Sequence, residues 1–415
     1  EIIVTGSFIK EIQASNPIFT SSIDDINQRG IFRIEDYLSS LPMINPGNSA
    51  LHSNFSTGTS SVSIRGLGGD RSLVLIDGKR LPSGSPLDGN AAQDLNQVPF
   101  ALIKKVEILT GGKSTIYGSD ATGGVINFIL DKKYSGTKIS IHQGAYQHNN
   151  NSYLRNINND AKSSVFDGIN SNYSIIFGSE LSDDSHLLGF IDYRNVESIR
   201  WDDRDIGVCA FRGNASCRLS SATFMARVQN GSSGGYVSEG GFSSTSTGFN
   251  FGAANFLQRP DKKMNMGFIF NSSLFDETNL TLSFFNLAQE SKAQIGAPLL
   301  FRQKINLPCI NPFLSSAQFS SIGCVTSADN INATVSKRFV ENSLNRSQFF
   351  KTSSNRGVID LKGKIDADWN FGIYFQNSHT SLRYKYLNDI SLSKVKNALN
   401  INSAGNCISN DAGCV

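Results

Sequence analysis

The second part of the chain alternates apolar and polar side chains. From residue 137 onward, apolar residues recur at every second position in several runs, for example across 173–177 and 264–270. Successive side chains of a strand point to opposite faces, so each run predicts a strand with one apolar and one strongly polar face. About seven such strands are predicted. Their apolar positions are Ile139, Ile141, Tyr173, Ile175, Phe177, Leu181, Leu187, Ile191, Tyr193, Met264, Met266, Phe268, Phe270, Leu280, Leu282, Phe284, Ile359, Leu361, Ile365, Trp369, Phe371, Ile373 and Phe375.

The connections between these strands alternate in length. Short turns alternate with long polar loops, as in an up-and-down membrane barrel, which has short turns at one end and long loops at the other. A soluble β-sandwich would show the same alternation within its strands, because periodicity does not tell a core-facing residue from a lipid-facing one. The sorting of loop length by strand parity favours the barrel. The predicted short turns are 182–185, 276–278 and 366–368, and the predicted long loops are 147–170, 197–262, 291–354 and 388–415.

Residues 1–133 show a different sequence pattern, in which segments typical of helices and of strands are separated by tight glycine turns. The spacing of apolar residues predicts a helix over 34–41, which Pro42 ends. A second short helix is predicted over 98–105. These elements together predict a small mixed α+β domain. Its predicted strands are 62–65, 73–77, 106–109 and 125–130.

Composition narrows the class of protein. No stretch approaches the ~18 uninterrupted apolar residues that a spanning helix needs, which excludes a helical membrane protein but not a membrane barrel. The net charge of +3 gives no argument for a nucleic-acid partner. The chain opens at Glu1 without a secretory signal segment, as a processed N-terminus would.

The six cysteines form three close pairs in the sequence, and each pair lies in a predicted long loop. Disulfides between neighbours would close three small loops, which suits an oxidising compartment. Zinc ligation is disfavoured, because the pairs lack the short ligand spacing and a nearby histidine. The expected pairs are Cys209 with Cys217, Cys309 with Cys324, and Cys407 with Cys414.

No constellation of catalytic residues is found. The segment 106–114 begins like a phosphate-binding loop, but Glu107 stands where that motif needs a glycine. Two Ser-x-x-Lys sequences, at 135–138 and 391–394, lack the companion motifs of the enzymes that use them. The chain is therefore predicted to be no enzyme, and to use neither a cofactor nor a metal.

Several motifs in the first part occur in an order that identifies a family. Together they resemble the plug signature of TonB-dependent outer-membrane receptors, and they cover most of the first 133 residues. The opening segment Glu1–Gly6 (EIIVTG) is similar to the TonB box of the same family. The plug motifs are 62–68 (VSIRGLG), 73–80 (LVLIDGKR), 94–99 (DLNQVP), 106–118 (VEILTGGKSTIYG) and 121–129 (ATGGVINFI).

The resemblance implies a fold: an α+β plug domain followed by an antiparallel transmembrane β-barrel. The family barrel has about 22 strands, of which this chain would contain about the first seven. Seven strands cannot close around a plug, and an open edge is not viable in lipid, so we expect the chain to be part of a longer protein. The implied domains are the TonB box and linker (1–19), the plug (20–133) and the N-terminal part of the barrel (134–415).

The resemblance also implies a function, which is uptake of a nutrient across the Gram-negative outer membrane, with the N-terminus in the periplasm. The partners are TonB with its inner-membrane complex of ExbB and ExbD, the outer-membrane lipid, and a small-molecule, oligosaccharide or peptide substrate. An extended segment such as 1–6 is suited to adding a strand to the sheet edge of TonB. The predicted TonB-binding residues are Glu1, Ile2, Ile3, Val4, Thr5 and Gly6.

Charged plug residues are predicted to contact the barrel across a wet boundary, where exposed ion pairs contribute ~0–1 kcal/mol each. These plug residues are Arg65, Arg71, Asp77, Arg80, Lys104 and Glu107. The matching charges on the barrel's inner side are Glu180, Asp192, Arg194, Asp360, Lys362 and Lys364. The candidate substrate contacts at the outer end of the plug are His52, Asn54, Phe55, Asp88, Asn90 and Gln93.

Two other classes of protein are compatible with the residues outside the plug motifs. One is a β-rich surface adhesin that binds a partner through disulfide-closed loops, and the other is a soluble all-β enzyme, which the missing catalytic constellation disfavours. The substrate of a transporter cannot be assigned among siderophores, haem, vitamins, oligosaccharides and peptides. Loops rich in Asn, Ser and aromatic residues favour a sugar or peptide over an anionic iron chelate.

Overall fold

The computed structural model describes residues 18–53, 56–85, 87, 92–151, 162–207, 211–212, 216–217, 219–275, 277–341, 344–366 and 369–408. The strands are β1 Ile18–Ser22, β2 Ile44–Pro46, β3 Val62–Ile64, β4 Ser72–Ile76, β5 Lys79–Arg80, β6 Ile103–Thr110, β7 Gly124–Leu130, β8 Gly136–Asn149, β9 Ser164–Ser182, β10 Ser185–Val196, β11 Ile199–Arg200, β12 Phe211–Arg212, β13 Ser216–Cys217, β14 Arg227–Asn230, β15 Ser233–Ser238, β16 Gly241–Ser243, β17 Phe256–Gln258, β18 Asp261–Phe275, β19 Thr278–Ile295, β20 Leu299–Pro308, β21 Asn330–Arg338, β22 Arg346–Lys364 and β23 Asn370–Leu387. The helices are α1 Ile23–Gln28, α2 Ile34–Ser39, α3 Ser114–Tyr117, α4 Ser316–Ser321 and α5 Leu392–Leu399. None of the helices in these described ranges is long and apolar enough to cross a membrane.

The first part of the chain, called the plug below, is built on a five-stranded sheet in the order β1-β6-β7-β4-β5. Only β4 and β7 run parallel, and every residue of β7 is buried. Helices α1 and α2 contribute Ile26, Tyr37 and Leu38 to the core on one face. Gly124 opens β7 with a φ of +143°, and a Cβ there would collide with the carbonyl oxygen of Leu109. The predicted α+β domain is confirmed.

The predicted helix over 98–105 is wrong. The chain forms a 3-10 turn at Phe100–Leu102, and Ile103 already begins β6. Strand β6 pairs antiparallel with β1 on one side and with β7 on the other, so its ladder of hydrogen bonds outweighs the local helical propensity. The other predicted helix forms as α2, two residues shorter than the predicted 34–41.

The second part forms one seven-stranded antiparallel sheet in the order β8-β9-β10-β18-β19-β22-β23, called the wall below. The number of strands and the position of the three short connections agree with the sequence prediction. The first of these joins Ser182 at the end of β9 to Ser185 at the start of β10. The strands extend further into the predicted long loops than the alternation indicated.

The wall turns polar residues toward the plug near its loop end, and most of its large outward-facing side chains are apolar. Toward the short-turn end the inner face is apolar as well, where it packs on the plug core with Ile176, Leu188, Phe190, Ile269 and Phe285. Ile141 and Phe375 on the outer face are 72% and 65% exposed, whereas Arg194 and Asn265 on the inner face are 3% and 0% exposed. A sandwich with a dry core of its own would bury the apolar residues instead. The sandwich alternative is therefore wrong for this sheet.

A second five-stranded sheet, called the loop sheet below, has the order β16-β15-β14-β21-β20 and is built from the two longest connections of the wall. Its core includes Leu300, Ile305 and Val335, against which α5 packs. The prediction that 197–262 and 291–354 are polar loops is wrong. Strands such as β14 and β16 are short and pair over long distances, as Val228 does with Val335, so no local alternation reveals them. Strand β21 is longer, and its buried residues Ile331, Ala333 and Val335 do alternate, a signal that the sequence prediction missed.

Candidate functional site at the boundary between plug and wall

Arg194, on the inner face of β10, connects the wall to the plug. Its Nε donates to Oδ2 of Asp261 at 2.9 Å, and its Nη2 donates to Oδ1 of Asn96 in the plug at 3.0 Å. Its Nη1 lies 3.6 Å from Oε1 of Glu35 on α2. All three ionised side chains are less than a tenth exposed. One guanidinium therefore joins a carboxylate from each side of the boundary.

Two further wall residues, Lys263 and Gln289, complete this group. It is called the hub below, and its other members are Arg194, Asp261, Asn96 and Glu35. Lys263 Nζ donates to the backbone oxygen of Asn96 at 3.4 Å, and Gln289 Nε2 donates to Oδ1 of Asp261 at 2.8 Å. Buried charges are tolerated only when they are paired and hydrogen-bonded. The hub meets that condition only while the plug is in place, because Asn96 and Glu35 belong to the plug.

A second contact fixes the segment 49–53 near the loop end of the wall. Arg259 Nη2 donates to the backbone oxygen of Ser49 at 3.0 Å, and the Arg259 backbone N–H donates to the oxygen of Ala50 at 2.8 Å. Ser53 Oγ accepts from the backbone N–H of Gln294 at 3.1 Å. His52 lies in this segment, and burial together with the nearby Arg259 lowers the pKa of its imidazole.

A third contact, called the lower clamp below, lies toward the short-turn end of the wall. Lys79 Nζ of the plug is 2.6 Å from Oδ2 of Asp360 on β22, and each side chain is 9% exposed. Burial lowers the pKa of Lys79, and the neighbouring Asp360 opposes that shift. Gln376 Nε2 on β23 donates to the backbone oxygen of Arg80 at 3.0 Å.

Six charged plug residues were predicted to touch the barrel. Their ion pairs lie mainly within the plug. Asp77 is 3.6 Å from Lys132, and Arg80 is 2.5 Å from Asp120. Glu107 pairs with Lys105 at 2.6 Å, while Arg65, Arg71 and Lys104 are exposed. Arg80 reaches the wall through its backbone oxygen.

The predicted inner charges of the barrel separate into two groups. Asp192, Arg194 and Asp360 are buried against the plug, whereas Glu180 and Lys362 are exposed. Lys364 lies near the short-turn end, where it pairs with Glu277 at 2.8 Å.

Sequence reasoning did not single out Glu35, Asn96, Lys79, Asp261, Lys263 and Arg259. A signal for two of them was present, because Asp261 and Lys263 are charged residues at inward positions of a strand whose outward positions are apolar. Glu35 gave no such signal, because a glutamate in the first turn of a helix is ordinarily a favourable solvated residue.

Several predicted site residues lie outside the described residues. These are the TonB-binding segment 1–6 and the candidate substrate residues Asn54, Phe55, Asp88 and Asn90. Of the two remaining candidates, His52 lies at the second contact and Gln93 is buried, forming a bridge with Ser83.

The disulfide between Cys309 and Cys324 is confirmed, with Cα atoms 5.8 Å apart. It joins β20's end to the segment after α4 and lies in the core of the loop sheet. Cys217 and Cys407 are also disulfide-bonded. Their predicted partners, Cys209 and Cys414, lie outside the described residues.

The buried carboxyl group of Asp94 in the plug should make the stability of the plug depend on pH. Its Oδ1 accepts from the backbone N–H of Ser60 at 2.9 Å and of Asn96 at 3.0 Å, yet burial raises the pKa of its carboxyl to about 6. An acid whose pKa is raised by folding binds its proton more tightly in the folded state, so stability is highest below pH ~4 and falls as the pH rises to ~6. A shift of this size corresponds to about 3 kcal/mol.

We therefore expect hydrogen exchange of the Ser60 and Asn96 amides, corrected for intrinsic rates, to show protection falling between pH 4 and pH 7. Asp94→Asn should remove this dependence. Asp120 is the control, because its hydrogen bond from Arg80 lowers its pKa, so protection around Asp120 should fall toward acid pH instead. Protection at Ser60 that is constant or rises toward pH 7 would contradict the prediction.

The fold and the boundary together define a class of protein: a globular plug held by buried ion pairs, hydrogen bonds and apolar packing against one face of an antiparallel sheet whose other face exposes large apolar side chains. Residues 10–125 match the family model described as TonB-dependent Receptor Plug Domain. The recognition made from the motifs is confirmed, and this chain carries a TonB-dependent receptor plug domain. The family that residues 10–125 match is one of receptors.

Three solved structures illustrate the similarity. The ferric enterobactin receptor of Pseudomonas aeruginosa (PfeA, a mutant in complex with enterobactin) is 13% identical, with 89% of this chain and 46% of that chain covered and a TM-score of 0.44. The siderophore receptor PirA of Acinetobacter baumannii is 16% identical, with 94% and 50% covered and a TM-score of 0.39. The receptor FpvA of P. aeruginosa, bound to a pyoverdine, is 13% identical, with 89% and 43% covered and a TM-score of 0.45. The chain spans about half the length of these structures.

Proposed function

We propose that this chain forms the plug and the first strands of a TonB-dependent transporter in the Gram-negative outer membrane. The observation that carries the proposal is the outer face of the wall, which exposes large apolar side chains such as Ile141, Phe177 and Phe375 while charged residues such as Arg194 are buried on the face toward the plug. A tilted strand needs about 9–11 residues to span a bilayer. The seven wall strands have between 12 and 19 residues. In lipid they require further strands to close the barrel.

Substrate binds at the loop end of the wall, on the plug's outer segments and the long loops. The second contact supports this placement, because Arg259 and Gln294 hold the segment around His52 there. The candidate contacts His52, Asn54, Phe55, Asp88, Asn90 and Gln93 belong to this part of the proposal. The substrate class extends over siderophores, haem, vitamins, oligosaccharides and peptides. Binding of the full-length protein to a panel of these classes is the measurement that would assign it.

The segment Glu1–Gly6 binds TonB in the periplasm, where TonB acts together with ExbB and ExbD. Its sequence supports strand addition, because main-chain hydrogen bonds give the affinity and the β-branched residues favour an extended chain. Substrate binding shifts the population of plug states, and TonB then remodels the plug. The proposed organisation is a TonB box and linker over 1–19, the plug over 20–133, and the first part of the barrel from 134.

Deleting residues 1–6 from the full-length protein tests the proposal. We expect ligand binding to be unchanged and energised uptake to fall to background. A matched pair of point variants isolates the mechanism: Ile3→Pro removes an N–H from the strand and should abolish uptake, whereas Ile3→Val keeps the strand and should preserve it. Unchanged uptake after the deletion would contradict the proposal, and partner binding that the deletion leaves unaffected, in a protein without energised uptake, would support the surface-adhesin alternative.

A further inference from the structure

A small cavity lies between the plug and the wall, on the loop side of the lower clamp. Its charged lining consists of Asp77, Lys79 and Lys132 from the plug and of Arg356 and Asp360 from β22. Its volume is about 20 Å³. Since one buried water molecule needs about 10–15 Å³, the cavity has room for one or two waters or for one ion of similar size. A sulfate or phosphate ion, with four oxygens around its central atom, is too large.

Arg356 lies on the inner face of β22, is 5% exposed and has no carboxylate partner among the described residues. Its Nη2 donates to Oε1 of Gln376 at 3.0 Å, whereas its buried Nε finds no acceptor in the described part of the chain. The two carboxylates of the cavity, Asp77 and Asp360, each pair with a lysine of the plug. Because a buried charge without a partner is costly, Arg356 requires a counter-charge.

The cavity has an excess of positive charge. Its three cations face two carboxylates, and Lys362, half exposed and 3.7 Å from Asp360, adds a further cation at its edge. Ser283 of β19 also lines the cavity, and its hydroxyl has no recorded hydrogen bond within the described ranges. The hydroxyl of Thr281 is occupied, because it donates to Oδ1 of Asn271 at 2.9 Å. A guanidinium and a hydroxyl are therefore the donors that the cavity offers to a guest.

Cations from both sides of the boundary meet at this cavity. Asn271 Nδ2 on β18 donates to the backbone oxygen of Lys132 at 3.0 Å, which holds this part of the plug against the wall. Lys79 reaches from the plug to Asp360. An anion in the cavity would therefore lie between the two plug lysines on one side and Arg356 on the other.

We propose that one monovalent anion of the size of chloride binds in this cavity and joins Arg356 of the wall to the lysines of the plug. A water molecule would accept from the Nε–H of Arg356, but it would leave the excess positive charge uncompensated. The anion supplies that charge and strengthens the lower clamp, so its binding favours the seated plug by linkage. The inference concerns retention of the plug and is independent of the substrate.

Bromide is the probe that locates the site, because it resembles chloride in size and charge and is identified by its anomalous X-ray scattering. In crystals of the full-length protein grown with sodium bromide, we expect a bromide peak in contact with Arg356. Arg356→Gln should lose this peak. The control Arg383→Gln removes the same charge from an exposed position on β23 and should keep it.

Hydrogen exchange of the plug amides at 130–132 measures the effect of the anion in solution. We expect exchange about tenfold slower in sodium bromide than in sodium gluconate of equal ionic strength, the change that corresponds to bromide at about nine times its Kd. Gluconate is also monovalent, but it is too large for the cavity. Arg356→Gln should abolish the difference between the two salts, and Arg383→Gln should preserve it.

Ser283→Ala tests the site without changing any charge. It should weaken bromide affinity about tenfold through the loss of one hydrogen bond to a charged group, and it carries the test if Arg356→Gln does not fold. The proposal is wrong if the cavity of the native protein shows no bromide peak, or if gluconate slows exchange as much as bromide does. It is also wrong if Arg356→Gln keeps the difference between the salts or Arg383→Gln loses it. None of these measurements involves uptake, so their failure would leave the transport proposal untouched.

Discussion

Arg194→Ala should weaken the attachment of the plug to the wall by about 3–5 kcal/mol, because removing one partner of a buried ion pair leaves the other charge uncompensated. Arg194 serves Asp261 on the wall and Glu35 on the plug, so the variant buries two carboxylates without their main cation. Lys263 remains nearby, but its recorded hydrogen bond goes to the backbone oxygen of Asn96. We expect the plug to open locally before the wall unfolds.

Hydrogen exchange of the amides at 95–98 and on α2, measured on the full-length protein, reports this opening. Arg194→Lys should restore only part of the protection, since an ammonium cannot reproduce the forked contact to Asp261 and Asn96. Lys364→Gln is the control, because it breaks an ion pair of which both partners are about half exposed, a loss of ~0–1 kcal/mol. Native protection at 95–98 in Arg194→Ala would show that the hub does not hold the plug.

The sequence predicted the wall better than its boundary with the plug. Period-2 alternation is a local property, so runs such as 264–270 locate strands and distinguish their two faces. Which face is buried is not local, and only the position of the plug decides that Asn265 is inside and Phe268 outside. The short strands of the loop sheet escaped prediction for a related reason: Arg227–Asn230 is too short for a pattern and is specified by pairing with β21.

The difference between local patterns and pairing over long distances also explains which residues of the boundary site could be predicted. Arg65 and Arg71 lie in recognisable motifs, but they are exposed, whereas Glu35 lies in an unremarkable helix and meets Arg194 far along the chain. A charge becomes part of the boundary through a partner distant in sequence. Inward charges on the wall strands are the exception: Arg194 and Asp360 were predicted because charged residues on the inner face of a barrel can match the charges of a plug, and their burial requires such partners.

The hub and the lower clamp hold the plug at opposite ends. Arg194 lies two residues from the loop end of β10, whereas Asp360 lies four residues from the short-turn end of β22. The strand register places Thr352 of β22 in the same row as Arg194, Lys263 and Gln289 of the hub. At 3.4 Å per residue, Asp360 of the clamp lies ~27 Å further along β22 than Thr352. A force that acts on the plug from one end of the wall would reach the two contacts at different depths, and each contact can be tested alone.

A double-mutant cycle at the lower clamp should show strong coupling between Lys79 and Asp360. Lys79→Met leaves Asp360 buried with only Lys362, 3.7 Å away and half exposed, and should destabilise the plug by about 3 kcal/mol. The double variant Lys79→Met/Asp360→Leu removes both charges and should return to within about 1 kcal/mol of the native protein, because replacing a whole buried pair by apolar residues is often neutral. Exchange of the amides at 74–76, which precede the clamp on β4, measures each step.

Asp360→Asn adds a pH dependence whose sign follows from the chemistry of Lys79. Burial lowers the pKa of Lys79, and removing Asp360 takes away the charge that opposes this shift. A lysine whose pKa is lowered by folding costs stability at every pH below its ordinary pKa, and the cost fades as the pH approaches that value, so the cost of Asp360→Asn should shrink as the pH rises from 7 to 10. Additive single variants, or a cost that is the same at both pH values, would mean that the two side chains are neighbours without holding the plug. A double variant that returns to near-native stability, with a strong coupling energy, would show that the clamp can be released as a unit, which the proposed remodelling of the plug requires.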